Sequence, residues 1–144
     1  MGEGRVVRAG TGGFWSAGVD CDSRLEVTVQ DVGYLFAAPL HIHEFQEDSF
    51  YVLSGTLTVQ IGDEVVELNP GDFATAPPGV PHTFTNTDPE RAARMLNVMA
   101  PAMGTDRLIA ANKSGADLDE LKRLSLVSHG KLVGPTLPEK LGLQ

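Results

Sequence analysis

Residues Ser49–Ala76 read SFYVLSGTLTVQIGDEVVELNPGDFATA, and the punctuation of this stretch decides the fold. Ser49–Leu53 is a run of β-favouring residues, and Ser54-Gly55 turns the chain into a second run, Thr56–Ile61. Gly62-Asp63 then leads into Glu64–Leu68, and Asn69-Pro70-Gly71 into Asp72–Ala76. Gly and Asn tolerate the left-handed backbone that tight turns need, and Pro presets φ, so each break has a mechanism. Upstream, Arg24–Gln30 alternates Leu25, Val27 and Val29 with Glu26, Thr28 and Gln30, the period-2 signature of a half-buried strand. Downstream, His82–Asn86 and Ala92–Met99 continue the series. Short strands at this regular spacing predict an all-β sandwich or barrel, with a core over about residues 24–100.

Past Pro101 the pattern changes. A helix is expected over Thr105–Asn112. A second starts at Asp117, where Glu120 three residues on gives a capping-box-like signal; Leu118, Leu121 and Leu124 recur at helical spacing, and Gly130 supplies a stop. Val133–Gln144, with two prolines and two glycines, reads as extended. The 144 residues fit one domain, 1–144, with residues 101–144 as a short helical extension. A net charge of −8 argues against nucleic acid or an anionic membrane as partner. No apolar run approaches a membrane span, and the opening MGEGRVVRAGTGG carries neither a secretory leader nor, with Val6 after Gly2, a myristoylation signal. The single cysteine, Cys21, cannot close an internal disulfide and fits a reducing cytoplasm.

Three of the four histidines fall in two compact, turn-punctuated segments. His41 and His43 bracket Ile42, and on a strand residues two apart share a face, so both imidazoles project into one space. Imidazole is a ligand for Zn, Cu, Fe and Ni. His129, beside Gly130 at the end of the second helix, reads instead as a partner for helix C-terminal carbonyls.

The spacing around these histidines resembles the two motifs of the cupin superfamily. In His41-Ile-His43-Glu-Phe-Gln-Glu47-Asp48-Ser-Phe-Tyr-Val-Leu-Ser-Gly55, H-x-H is followed by four residues, an acid, six residues and a glycine. In Gly71-Asp-Phe-Ala-Thr-Ala-Pro77-Pro-Gly79-Val-Pro-His82-Thr-Phe-Thr-Asn86, every defining position of the second motif stands in place. The resemblance covers roughly Arg24–Met99, and the tail Ser128–Pro138 resembles the YG-x-x-VGPP endings of quercetinase-type single-domain cupins. The chain departs from the family at two places. Leu35 stands where a glycine is common, and Asp48 stands where the fourth ligand is commonly Glu, with Glu47 beside it. Aspartate is one methylene shorter, and Glu47 faces the other side of the strand unless a bulge turns it.

The resemblance implies an antiparallel jelly-roll barrel holding one divalent metal ion (Fe, Mn, Co, Ni or Zn) on His41, His43, Asp48 and His82, with Asp48 or Glu47 as the catalytic carboxylate. The parity that turns Asp48 inward also turns Phe50 and Val52 inward, and Phe84 shares the face of His82. Phe50, Phe84 and Tyr34 are the expected substrate contacts, with Phe36, Phe45, Met95, Met99 and Met103 as further apolar lining. A hydrophobic or aromatic small molecule fits such a surround, and the lack of Arg or Lys in both motifs disfavours a phosphate. Resemblance to quercetinases implies a metal-dependent dioxygenase acting on a flavonol-like compound. An isomerase, cyclase or decarboxylase, or a binding cupin without catalysis, stays open at this stage. Apolar residues on both faces of Ser49–Leu53 imply cover from the C-terminal helices or from a second subunit, hence an expected homodimer.

Overall fold

The computed structural model describes Phe14–Ser16 and residues 24–144. Cys21 and the opening segment around Gly2 and Val6 lie outside the described residues. In chain order the elements are β1 (Phe14–Ser16), β2 (Glu26–Val32), β3 (Pro39–His43), β4 (Glu47–Ser54), β5 (Leu57–Ile61), β6 (Glu64–Leu68), β7 (Phe73–Ala76), β8 (His82–Thr85) and β9 (Ala93–Ala100). Then come α1 (Thr105–Lys113), α2 (Leu118–Val127), β10 (Gly130–Thr136) and α3 (Leu137–Leu141). The strands make two five-stranded antiparallel sheets, ordered β1-β2-β9-β4-β7 and β10-β3-β8-β5-β6. This is the all-β sandwich expected from the strand spacing, in the jelly-roll form that the resemblance implied.

The apolar core lies between the sheets. Val32, Phe50, Val52 and Met95 from the first meet Leu57, Val59 and Phe84 from the second. Alternation on β4 puts Asp48, Phe50 and Val52 inside and Glu47 and Tyr51 outside, as the pleat requires. Gly55 ends β4 at φ +71°, where a Cβ would stand 2.6 Å from the Ala92 carbonyl oxygen and 2.8 Å from the Ala93 Cα. Only a residue without a Cβ lets these backbones meet.

Three local findings differ from the sequence reading. On β2 the alternation is present, but the polar set is the buried one: Glu26, Thr28 and Gln30 are fully enclosed, while Leu25 is 40% exposed. These polar residues point inward because the interior offers them partners (below), so hydrogen bonding and not hydropathy sets the facing. The tail is not wholly extended. Gly130–Thr136 pairs with β3, and Leu137–Leu141 is a helix opened by a full capping box between Thr136 and Glu139. At α2 the box is half formed: Asp117 accepts from the Glu120 N–H, but the Glu120 side chain pairs with Arg123. Leu35, at the family's glycine position, takes φ +57°, a conformation that favours glycine. None of the described helices is long and apolar enough to cross a membrane.

The C-terminal extension covers the barrel mouth. Helix α1 begins at Gly104 with no side-chain cap of its own. Its exposed donors are met from the barrel: the Glu26 carboxylate accepts from the Met103 N–H (3.1 Å), the Asp106 N–H (3.2 Å) and Gln46 Nε2 (2.8 Å). A carboxylate at a helix N-terminus satisfies orphan N–H groups and complements the dipole. Burial nevertheless raises the Glu26 pKa, against the lowering effect of the two backbone donors. Helix α2 packs on α1 and on β10.

Candidate metal centre

Four side chains from three strands converge at one end of the barrel. β3 brings His41 and His43 inward on one face, β8 starts with His82 in register with His41, and β4 contributes Asp48. The second-motif turn sets the start of β8. Pro77–Val80 closes on a Val80 N–H to Pro77 carbonyl bond of 3.1 Å, with Gly79 at φ +81°. The Gly79 N–H donates to the His43 carbonyl at 2.8 Å, tying the two motifs together. Asn86 works in the scaffold: its Nδ2 donates to the Val32 and Arg91 carbonyls.

One ligating atom from each of His41, His43, Asp48 and His82 lies within 4.8 Å of the other three. Ligands bound at ~2.0–2.2 Å to one ion stand close to this spacing. The imidazole tautomers also fit. His41 Nδ1 is 2.7 Å from the Pro39 carbonyl oxygen and His82 Nδ1 is 2.9 Å from that of Val80. A carbonyl can only accept, so each Nδ1 carries the hydrogen and each Nε2 keeps its lone pair for a cation. Asp48 Oδ2 lies 2.9 Å from His82 Nε2 and 3.2 Å from His43 Nε2, and Oδ1 accepts from Asn97 Nδ2. The shorter aspartate therefore reaches the cluster. Three imidazoles and a carboxylate suit Fe, Mn, Co, Ni or Zn.

The electrostatics favour a positive charge at this point. Burial pushes the His41 pKa down to about 3, helped by the neighbouring His82 and His43. Burial also works against the Asp48 anion, but hydrogen bonds from His43 and His82 outweigh it and hold the carboxyl well below its usual range. For His82 burial favours the neutral form, yet the hydrogen bond and charge of Asp48 prevail and raise its pKa. The cluster thus draws in a proton or, in its place, a metal ion.

Beside the cluster lies a cavity of ≈ 550 Å³, its open mouth included. His41, His43, Asp48, Phe36 and Phe84 line it from the barrel. The cap adds Thr105, Leu108, Ile109 and Asn112, which share one face of α1 by their i, i+3, i+4, i+7 spacing, and Leu121 from α2. Of the expected substrate contacts, only Phe84 lines this space. Phe50 is buried in the core behind it, its ring centroid 6.1 Å from that of His82 and 5.7 Å from that of Phe84. Tyr34 is 49% exposed and bridges to Asn86 away from the cavity. Met95 and Met99 belong to the core, and Phe45 is exposed with its ring against His129, outside the cluster. Glu47 projects from the exposed face of β4. Sequence reading missed Gln30 and Asn97, which line the cavity from β2 and β9, and the cap residues of α1.

This fold and site define a jelly-roll domain built around a three-histidine, one-carboxylate centre. The chain matches the cupin domain model over its residues 33–99. It is 30% identical over 63 residues to quercetin 2,3-dioxygenase of Bacillus subtilis (strain 168), a match spanning 44% of this chain and 18% of that enzyme. Among solved structures it is similar to the TT1209 protein of Thermus thermophilus (29% identity, TM-score 0.55, covering 66% of this chain and 90% of that one). It is also similar to a Klebsiella pneumoniae protein with a double-stranded β-helix domain (27% identity, TM-score 0.54, 69% and 92% covered).

Proposed function

We propose that this protein is a metal-dependent dioxygenase acting on a small, hydrophobic, oxygenated molecule of the flavonol type. The observation that carries the reading is the meeting of His41, His43, Asp48 and His82 in one cluster, the first three of which line a cavity with a mainly apolar wall. A divalent ion held by these four groups supplies Lewis acidity toward a substrate oxygen and a site for O₂. His41 and His82 hold their ring orientation through the Pro39 and Val80 carbonyls, which keeps both Nε2 atoms aimed at one point. Asp48 is the carboxylate placed to take the proton of a substrate hydroxyl, with Asn97 fixing its other oxygen. Glu47, on the outer face, has no such reach. Phe36, Phe84, Leu108 and Ile109 exclude water and pack an apolar ligand body. Similarity to a quercetin dioxygenase supports the oxidative chemistry.

The test loads the protein separately with Fe, Mn, Co and Ni and offers flavonols with and without O₂. O₂-dependent loss of flavonol absorbance that vanishes in His41→Ala is expected. Turnover that proceeds equally without O₂ would move the assignment to an isomerase, cyclase or decarboxylase, and binding without turnover to a ligand-binding cupin. We further propose a cytoplasmic homodimer. The helices cover the mouth and leave Tyr51, Leu53 and Phe73 on the outer sheet face 40%, 43% and 60% exposed, a surface suited to a second subunit.

A further inference from the structure

A polar row runs along the inner wall from the metal centre to Gln30, and its polarity is fixed from the metal end. Asn97 Nδ2 donates to Asp48 Oδ1, so the Asn97 amide turns its nitrogen toward the cluster. The same Nδ2 donates to the Ser49 carbonyl at 2.9 Å, which uses both amide hydrogens. Asn97 Oδ1 is left facing Thr28, whose hydroxyl donates to it at 3.4 Å. The Thr28 oxygen can then serve Gln30 only as an acceptor, and Gln30 Nε2 donates to it at 3.0 Å. The row ends on Gln30 Oε1, a buried carbonyl oxygen that no donor among the described residues reaches.

Gln30 is 0% exposed and lines the cavity. The polar residues of the cap are turned elsewhere: the Thr105 hydroxyl donates to Gln46 Oε1 and the Asn112 amide to the Ala37 carbonyl. An unpaired buried acceptor costs about 1–3 kcal/mol, and natural cores keep few of them. A polar side chain in an otherwise apolar pocket fixes a ligand's orientation and rejects analogues that leave it unpaired.

We propose that Gln30 selects the ligand, accepting a hydrogen bond from a hydroxyl or N–H at the far end of an apolar body whose other oxygen function reaches the metal centre. Gln30 lines the same cavity as His41, His43 and Asp48, whose other walls include Phe36, Phe84, Leu108 and Ile109, so one apolar ligand body can face both Gln30 and the metal centre. The ligand class is therefore an aromatic or similarly flat apolar molecule carrying one metal-binding oxygen and one distal donor. This rests on the reading of the site as a metal centre but not on O₂ chemistry.

The test uses the Co-loaded protein and three probes, 4-hydroxybenzoate, 4-methoxybenzoate and benzoate, with binding read from the Co absorption bands. Metal content is measured first. The hydroxylated probe is expected to bind about tenfold or more tighter than its methyl ether, the scale of one buried acceptor left unpaired. In Gln30→Leu the preference should fall to within about threefold while benzoate affinity holds, because Leu keeps the volume and removes the acceptor. The thermal midpoint of that variant should not fall, since an unsatisfied carbonyl has been removed from the interior. In Thr28→Val, which frees the Gln30 amide to turn, the preference should weaken with Gln30 still present. A wild-type protein that holds Co but shows no preference, binds none of the probes, or keeps its preference in Gln30→Leu overturns the proposal. A protein that discriminates the probes yet consumes no O₂ refutes the dioxygenase reading alone.

Discussion

Changing Asp48 to Asn keeps the side-chain volume and removes the charge, which makes it the sharpest single test of the centre. Asp48 is 4% exposed and supplies the sole carboxylate of the four-residue cluster. Its two oxygens have separate duties, Oδ2 toward His82 and His43 and Oδ1 toward Asn97. An asparagine cannot perform both. If its oxygen faces Asn97, its NH₂ points at the Nε2 atoms and no ligand remains there. If the amide flips, NH₂ meets NH₂ at Asn97, leaving buried donors unpaired at a cost of about 1–3 kcal/mol. Either arrangement loses a ligand or its support, for which about 10–100-fold in metal affinity is expected, or about 1.4–2.7 kcal/mol at 25 °C. Glu47→Gln, one residue away on the exposed face, should change affinity less than about threefold, as befits a surface charge. The assay is a competition titration of Co or Zn against a chromophoric chelator, with circular dichroism to confirm that both variants fold. Asp48→Asn retaining affinity within about threefold of wild type, or Glu47→Gln losing more than Asp48→Asn, would refute the assignment of ligand and facing.

Metal affinity should fall as pH is lowered, because a protonated imidazole cannot ligate; the raised pKa of His82 makes it the first competitor, so the fall starts above pH 6.5 and approaches about tenfold per unit below that pKa, while His41, near 3, stays neutral throughout. An affinity flat between about pH 8 and 6 would contradict this order of protonation. Gly55→Ala should destabilise the fold by upward of about 3 kcal/mol in denaturant titration, from its positive φ and the collision of the new Cβ with the Ala92 and Ala93 backbone. Glu26→Ala takes the acceptor from one Gln46 amide hydrogen, the other staying on the Pro101 carbonyl, and from the Met103 and Asp106 N–H groups; it should cost about 3 kcal/mol, with hydrogen exchange rising in α1 before the barrel. Light scattering at micromolar concentration should give twice the 15.3 kDa chain mass; a monomer would show that the outer apolar face tolerates water.

The barrel and the three histidines were legible because both rest on short-range rules. Turn residues fix where strands stop, and period 2 fixes which residues share a face, so His41 with His43, and Asp48 with Phe50, could be placed together from spacing. Period 2 does not say which face is inside. Leu25, just before β2, and Val27 and Val29 on it face outward and Glu26, Thr28 and Gln30 inward, because the polar side chains find hydrogen bonds inside: Glu26 accepts from Gln46, Met103 and Asp106, Thr28 donates to Asn97, and Gln30 donates to Thr28. Gln46, Asn97, Met103 and Asp106 come from 20 to 80 residues away along the chain, beyond any local pattern. The cap was legible only as a helix: Leu108 and Ile109 mark an apolar face on α1, but nothing in their spacing says that the face lies over the metal centre. For α3 the Thr136-x-x-Glu139 capping signal competed with nearby prolines, and Pro138, in the first turn where its missing N–H is harmless, is compatible with the helix.

That division bears on how such a chain acquires its chemistry. The motif residues build a centre that attracts a cation, and they do so with backbone carbonyls, a Pro-Gly turn and one carboxylate that any ligand would meet alike. Discrimination has to come from groups facing the distal part of the cavity, and these are Gln30 of β2 and the face of α1. A change at Gln30 costs the barrel little, since Gln30 contributes one internal hydrogen bond and leaves an acceptor unpaired, whereas Asn86 supports two strand ends. A scaffold whose specificity residues are loosely tied to its stability can change ligand without refolding, and Gln30 meets that condition.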